Sequence, residues 1–193
     1  MNKKVIIRIV LICSMLFAVG TGVFTFIQKD FQTNLITLEK PSNWKEYSAA
    51  DARYKVNFPA EPVLENKQLD IPSAGQSLNF EQVSAEKKKA VYALSHVDFP
   101  RKWTLLGSNT LLKKSLDLLV ENEVPAQQLL SKETTSHQGY PALDYVVSRG
   151  GDEVKGRLVL VGTTLYRLTV SYPSELKETV QHEQFVSSFN LVG

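Results

Sequence analysis

Between Ala142 and Tyr172, apolar and polar residues alternate with period two in three consecutive runs. Leu143, Tyr145 and Val147 alternate with Asp144 and Ser148, and Gly150-Gly151 follows as a turn. Arg157–Val161 runs to Gly162-Thr163, and Leu165–Tyr172 places Tyr166, Leu168, Val170 and Tyr172 on one face. Period two interrupted by glycines predicts an antiparallel meander.

The same period recurs upstream. Tyr54, Val56 and Phe58 alternate with Arg53, Lys55 and Asn57, a half-buried strand ended by Pro59 and Pro62. Weaker strands are predicted over Val63–Leu69, closed by Pro72-Ser73-Ala74-Gly75, and around Leu78–Gln82. Ala90–Phe99 is a fourth, with Tyr92 and Leu94 on one side. Pro100 then ends the alternation. Leu112, Leu116, Leu119 and Val120 fall on one helical stripe, away from Lys113, Lys114, Asp117 and Glu121. The spacing predicts a helix on a sheet, capped at Ser108 or Asn109, running through Glu123 and stopped by Pro125. Gln127–Thr135 predicts a strand leading through His137-Gln138-Gly139 into the meander. After Tyr172, Pro173 and Ser174 start a closing helix with Leu176, Val180 and Phe185 or Val186 turned inward. The predicted order is four strands, helix, four strands, helix: an α+β fold with a predominantly antiparallel sheet covered by helices.

Residues 9–27, IVLICSMLFAVGTGVFTFI, carry no charge and follow the basic head Met1–Arg8. Nineteen helical residues reach about 28 Å, enough for a hydrocarbon core of about 30 Å. They read as a transmembrane signal-anchor with the head cytoplasmic and the body outside, at a bacterial inner membrane. The alternative is a signal peptide cut near Gly20, giving a secreted or periplasmic protein. Residues 28–43 read as a linker in which Leu35, Ile36 and Leu38 could add an edge strand, and residues 44–193 as the extracytoplasmic domain. Residues around Cys13 do not fit a lipidation signal.

Lys3, Lys4 and Arg8 hold the chain's basic excess, and residues 28–193 are net −1. A near-neutral body excludes a nucleic-acid groove, which needs a basic face. Cys13 is the only cysteine, so the domain has no thiol for a disulfide, a metal or nucleophilic attack. His96, His137 and His182 lie far apart, without ligand spacing. His96 and Asp98 share one strand face and form a weak polar pair, which reads as a strand end unless a third group converges on it. Asp152 and Glu153 read as solvent-facing residues of a hairpin turn, and adjacent strand residues point to opposite faces. No nucleophile elbow, phosphate loop or metalloprotease motif is present. No catalytic residue, metal ligand or cofactor site is expected. Lys87-Lys88-Lys89 reads as a solvated hairpin tip, with contact to anionic lipid as the alternative. Phe99, Arg101, Trp103 and Tyr140 form a candidate interaction surface, because Trp, Tyr and Arg dominate binding hot spots. The competing reading is that Trp103 plugs the end of the helix–sheet core. Trp44 reads as a staple at the start of the domain.

Residues 44–192 resemble the PsbP-like family of α/β/α sandwich domains, which includes the extrinsic photosystem II subunit and bacterial envelope proteins of the DcrB type. The likeness lies in Tyr54-Lys-Val-Asn-Phe-Pro59, Tyr92-Ala-Leu-Ser-His-Val-Asp-Phe-Pro100, Gly139-Tyr-Pro-Ala-Leu-Asp144 and Arg157-Leu-Val-Leu-Val-Gly-Thr-Thr-Leu-Tyr166, with Phe185-Val-Ser-Ser-Phe189 after them. The order and spacing of these segments carry it. It implies a mostly non-enzymatic binding or assembly module that docks to a protein partner; the plant subunit's metal and photosystem contacts have no counterpart here. Two other readings stay open: a carrier of a small apolar ligand between sheet and helix, and a hydrolase without a recognisable motif.

Overall fold

The computed structural model describes residues 43–71, 76–122 and 128–192. The basic head, the apolar segment 9–27, the linker and the turn at 72–75 lie outside these residues, as do the predicted helix end at Glu123 and its stop at Pro125. No helix among the described residues is long and apolar enough to cross a membrane.

Strands β1 (Lys45–Ser48) and β2 (Tyr54–Phe58) come first, followed by β3 (Val63–Ile71), β4 (Gln76–Lys87) and β5 (Ala90–Asp98). A 3-10 segment, Arg101–Leu106, leads into helix α1 (Ser108–Asn122). Then come β6 (Gln128–His137), β7 (Tyr140–Arg149), β8 (Asp152–Val161) and β9 (Thr164–Pro173). A 3-10 turn at Ser174–Leu176, helix α2 (His182–Ser187) and strand β10 (Asn190–Leu191) close the chain. The main sheet has seven strands in the order β3-β4-β5-β9-β8-β7-β6, and a second sheet has the order β1-β2-β10. Every pairing in both is antiparallel.

The alternation along each strand decides which core a residue enters. Leu143, Tyr145, Val147, Val154, Leu158 and Leu160 face α1, where the predicted stripe of Leu112, Leu116 and Leu119 is buried against them. Each such leucine contributes about 1.5–3 kcal/mol through removal from water. Tyr92, Leu94, Tyr166, Leu168, Val170 and Tyr172 face the other way, under Tyr54, Val56, Phe58, Phe185 and Phe189. The meander is thus the middle of the molecule, buried on both faces. Its register is reinforced by Asp144 and Arg157, direct cross-strand partners, whose Nε–Oδ1 and NH2–Oδ2 distances are 2.5 and 2.7 Å.

The structure is richer in strands than the predicted order. Five strands precede α1, because β1 (Lys45-Glu-Tyr-Ser48) is too short to display a period. The second cover is chiefly the small sheet, not a closing helix. The residues after Pro173 make one 3-10 turn and, separately, the six-residue α2. Thr179 contributes to the break: its hydroxyl donates to the Leu176 carbonyl at 2.7 Å, a local bond that competes with helix continuation. Leu176 is only half-buried, whereas Phe185 and Val186 are fully buried. At the start of α1 the Leu111 N–H donates to the Gly107 carbonyl at 3.0 Å, so Gly107 takes the cap position in place of Ser108 or Asn109. Trp44 sits edge-on to Tyr92 with ring centroids 5.7 Å apart, which fastens the domain's start to β5.

Candidate functional site

The pairing registers sort the turns onto two ends of the main sheet. One end holds Trp44, the β4–β5 turn at Lys88-Lys89 and the β7–β8 turn at Gly150-Gly151. The opposite end holds Asp98, Thr164, Val161 and the β6–β7 turn at Gln138-Gly139. We call it the distal end, because it is the far one from Trp44. Both groups of residues expected from the sequence, His96 with Asp98 and Phe99 with Arg101, Trp103 and Tyr140, lie at this distal end.

A third group does converge on His96 and Asp98. The turn before β2, with Ala52 at φ 56, brings Arg53 over them. Its NH2 lies 2.9 Å from His96 Nε2 and its NH1 lies 3.5 Å from Asp98. Arg53 also pairs with Asp51 through its Nε and its backbone N–H. The Thr164 hydroxyl donates to Asp98 at 2.5 Å. A guanidinium only donates, so His96 Nε2 accepts and the imidazole proton sits on Nδ1. That Nδ1 is buried without a hydrogen-bond partner, as is the Tyr54 hydroxyl. The rings of Tyr54, His96 and Tyr166 meet at centroid distances of 5.7–5.9 Å, Tyr54 edge-on to the other two.

His96 is 8% exposed, with one nitrogen engaged by Arg53 and the other enclosed. Burial pushes its pKa below the ordinary value, and the Arg53 charge adds to this. Burial also pulls on Asp51 and Arg53, but their mutual pairing wins, holding the carboxyl low and the guanidinium high. Among the described residues, no group of three or more His, Cys, Asp or Glu could hold a metal ion. Sequence spacing could not have found Arg53, which is 43 residues from His96.

His137 and His182 are buried too. His137 Nε2 lies 2.8 Å from the Phe189 carbonyl, which can only accept, so Nε2 donates. Beside it, Gln138 donates to Asn190 at 2.8 Å and accepts from the Leu191 N–H at 3.0 Å. These bonds tie the end of the chain to the β6–β7 turn. His182 Nδ1 lies 3.2 Å from Glu183, which receives Lys155 at 2.8 Å. The pKa values of His137 and His182 are also pushed down, burial being the main cause in each. The unfolded chain therefore takes up protons near the ordinary histidine value of about 6.5, while the folded chain resists them to lower pH. The sign follows: stability is complete above about pH 6.5 and declines as pH falls below it. Urea midpoints should be level from pH 7 to 8 and fall between about 6.5 and 5. A midpoint that rises on acidification contradicts this assignment.

The expected interaction surface divides in two. Phe99 and Trp103 stack at 5.2 Å and belong to the core beneath α1, Trp103 being only 3% exposed. Trp103 is thus a plug, and that half of the surface is interior. Arg101 remains exposed, Tyr140 is 39% exposed, and Leu105, which the sequence had not singled out, is 87% exposed. Asp152 lies at the hairpin turn, and Glu153 accepts from the Tyr172 hydroxyl at 3.3 Å. Between α1 and the sheet, Leu112, Leu116, Leu119, Leu143, Tyr145 and Leu158 form one buried apolar cluster. A groove of about 650 Å³ lies on the opposite face, between Leu130, Val146 and Lys155 and the segment from Lys177 to Gln184. Its mixed charged lining differs from the apolar cavity that a carrier between helix and sheet would need.

No family model matches the chain, and no curated protein matches it in sequence. Solved structures do match. The Ran-binding protein Mog1p of Saccharomyces cerevisiae aligns at 11% identity over 78% of this chain and 96% of its own, with a TM-score of 0.45. The cyanobacterial PsbP protein, CyanoP, of Synechocystis sp. PCC 6803 aligns at 14% identity over 86% of this chain and 99% of its own, with a TM-score of 0.55. The chain shares the PsbP-like fold, and at this identity the likeness is one of fold.

Proposed function

We propose that this chain is a membrane-held docking protein. Residues 9–27 span the bilayer, Met1–Arg8 stay in the cytoplasm, and the domain meets a protein partner on the outer side through its distal end. One observation carries the reading: Leu105 and Tyr140, large apolar side chains left exposed, and exposed Arg101 belong to segments that meet the sheet at the end opposite Trp44. An apolar anchor, an aromatic ring and a guanidinium are the groups that concentrate binding energy. The catalytic alternative is weakened by the geometry of His96, whose nitrogens are engaged or enclosed. Tethering raises the local concentration of the domain near other envelope proteins, so a modest contact area suffices. The test is site-specific photo-crosslinking in native membranes from position 105. A defined adduct supports the reading, and its persistence in a Tyr140→Ala, Arg101→Ala background counts against a shared surface.

A further inference from the structure

The described β6–β7, β7–β8 and β8–β9 hairpin turns each contain a glycine at positive φ: Gly139, Gly150 with Gly151, and Gly162. The β4–β5 turn does not. Lys87 pairs with Ala90, and the two residues between, Lys88 and Lys89, have φ of 51° and 65°. A two-residue turn with both φ values positive favours Asn-Gly, because a β-carbon is strained there. Here the chain places lysine at both positions, and both are exposed. Strain kept at a surface turn points to a use for the side chains.

The location supplies the use. Lys89 is three residues along β5 from Tyr92, or about 10 Å. Tyr92 carries Trp44, where the domain begins. The lysine turn therefore sits at the end of the sheet by which the chain enters from residues 28–43.

We propose that Lys87, Lys88 and Lys89 contact the anionic headgroups of the membrane that holds the chain, and so set which way the domain stands. This rests on the anchored reading above. Each lysine near an anionic surface strengthens attraction about five-fold, and exposed Glu86 beside them reduces the total. Such a contact would be weak for a free domain. The sixteen residues 28–43 can reach at most about 55 Å, so the tether keeps the turn near the bilayer and raises its effective concentration there. Attraction fades over about 8 Å at physiological salt. It therefore acts only when this end is turned to the bilayer, and it leaves Leu105 and Tyr140 facing away.

The experiment is lysine acylation of the full chain in nanodiscs, read residue by residue by mass spectrometry. One set of discs is phosphatidylcholine and the other contains roughly one-third phosphatidylglycerol. Lys88 and Lys89 should react about threefold or more slowly in the anionic discs, and the difference should vanish near 0.5 M salt, roughly. Lys113, exposed on α1, should react equally in both. In Lys88→Asn/Lys89→Gly, which gives the turn its favoured residues, Lys87 should lose its protection. Equal rates at Lys88 and Lys89, equal slowing at Lys113, or undiminished protection of Lys87 in the variant overturns the inference alone. A chain that does not enter the discs overturns the anchored reading and this inference with it.

Discussion

Trp103→Ala is expected to lower the stability of the domain by about 3–5 kcal/mol. The indole is buried among Phe99, Leu106 and the α1 leucines, and it closes the end of the core where the 3-10 segment turns into the helix. Truncation removes its apolar surface from the core and leaves a cavity that the seven-stranded sheet cannot collapse around. Domains of this size keep about 5–15 kcal/mol in all, so a variant losing this much is partly unfolded near physiological temperature. Urea denaturation of the purified variant measures the loss directly, as a lower midpoint at unchanged slope. A loss below about 1 kcal/mol would mean that the site tolerates truncation and that Trp103 is not the plug. The same result warns against Trp103 as a probe of docking, since any partner lost in that variant would be lost with the fold.

The second large effect lies at the meander's centre. Gly156→Val is expected to destabilise by about 1–3 kcal/mol or more through overpacking. Gly156 on β8 is the direct cross-strand partner of Tyr145 on β7. An added β-carbon would come within 2.4 Å of the Tyr145 ring, far inside any real contact. The ring cannot swing away, because it is enclosed in the α1 core and its hydroxyl accepts from Arg167 Nε at 3.0 Å. Gly156 has no positive φ, so its reason is space and not backbone strain. Thermal unfolding of Gly156→Ala and Gly156→Val compares the two sizes. Equal stability of wild type and both variants would show that Tyr145 relocates freely.

Much of this fold is readable in the sequence because strands announce themselves by face. Leu143, Tyr145 and Val147 form one row and Tyr166, Leu168 and Val170 another, and the structure places these rows against opposite covers. The stripe of α1 is legible for the same reason. What escapes is short or distant. A four-residue strand around Tyr47 and a two-residue strand at Asn190 carry no period, yet they build the second cover with β2. Thr179 contributes to the break in the closing helix through a side-chain bond that no periodicity reveals. At the distal end, Trp103 had two readings of equal chemistry, and only packing separates a buried indole from a docking one. Leu105 is a leucine beside a leucine in sequence, and its exposure depends on how the 3-10 segment leaves the sheet. Arg53 reaches His96 from the turn before β2, beyond anything local spacing encodes.

The central claim is that the sheet end away from the membrane is the working end. Photo-crosslinking in native membranes, with the reactive group placed in turn at Leu105 and at Lys113, tests it most directly. Both positions are exposed, but one lies at the distal end and the other on the outer side of α1. A discrete protein adduct is expected from position 105 and none from 113. Adducts of equal yield from both positions, or an adduct from 113 alone, would contradict it.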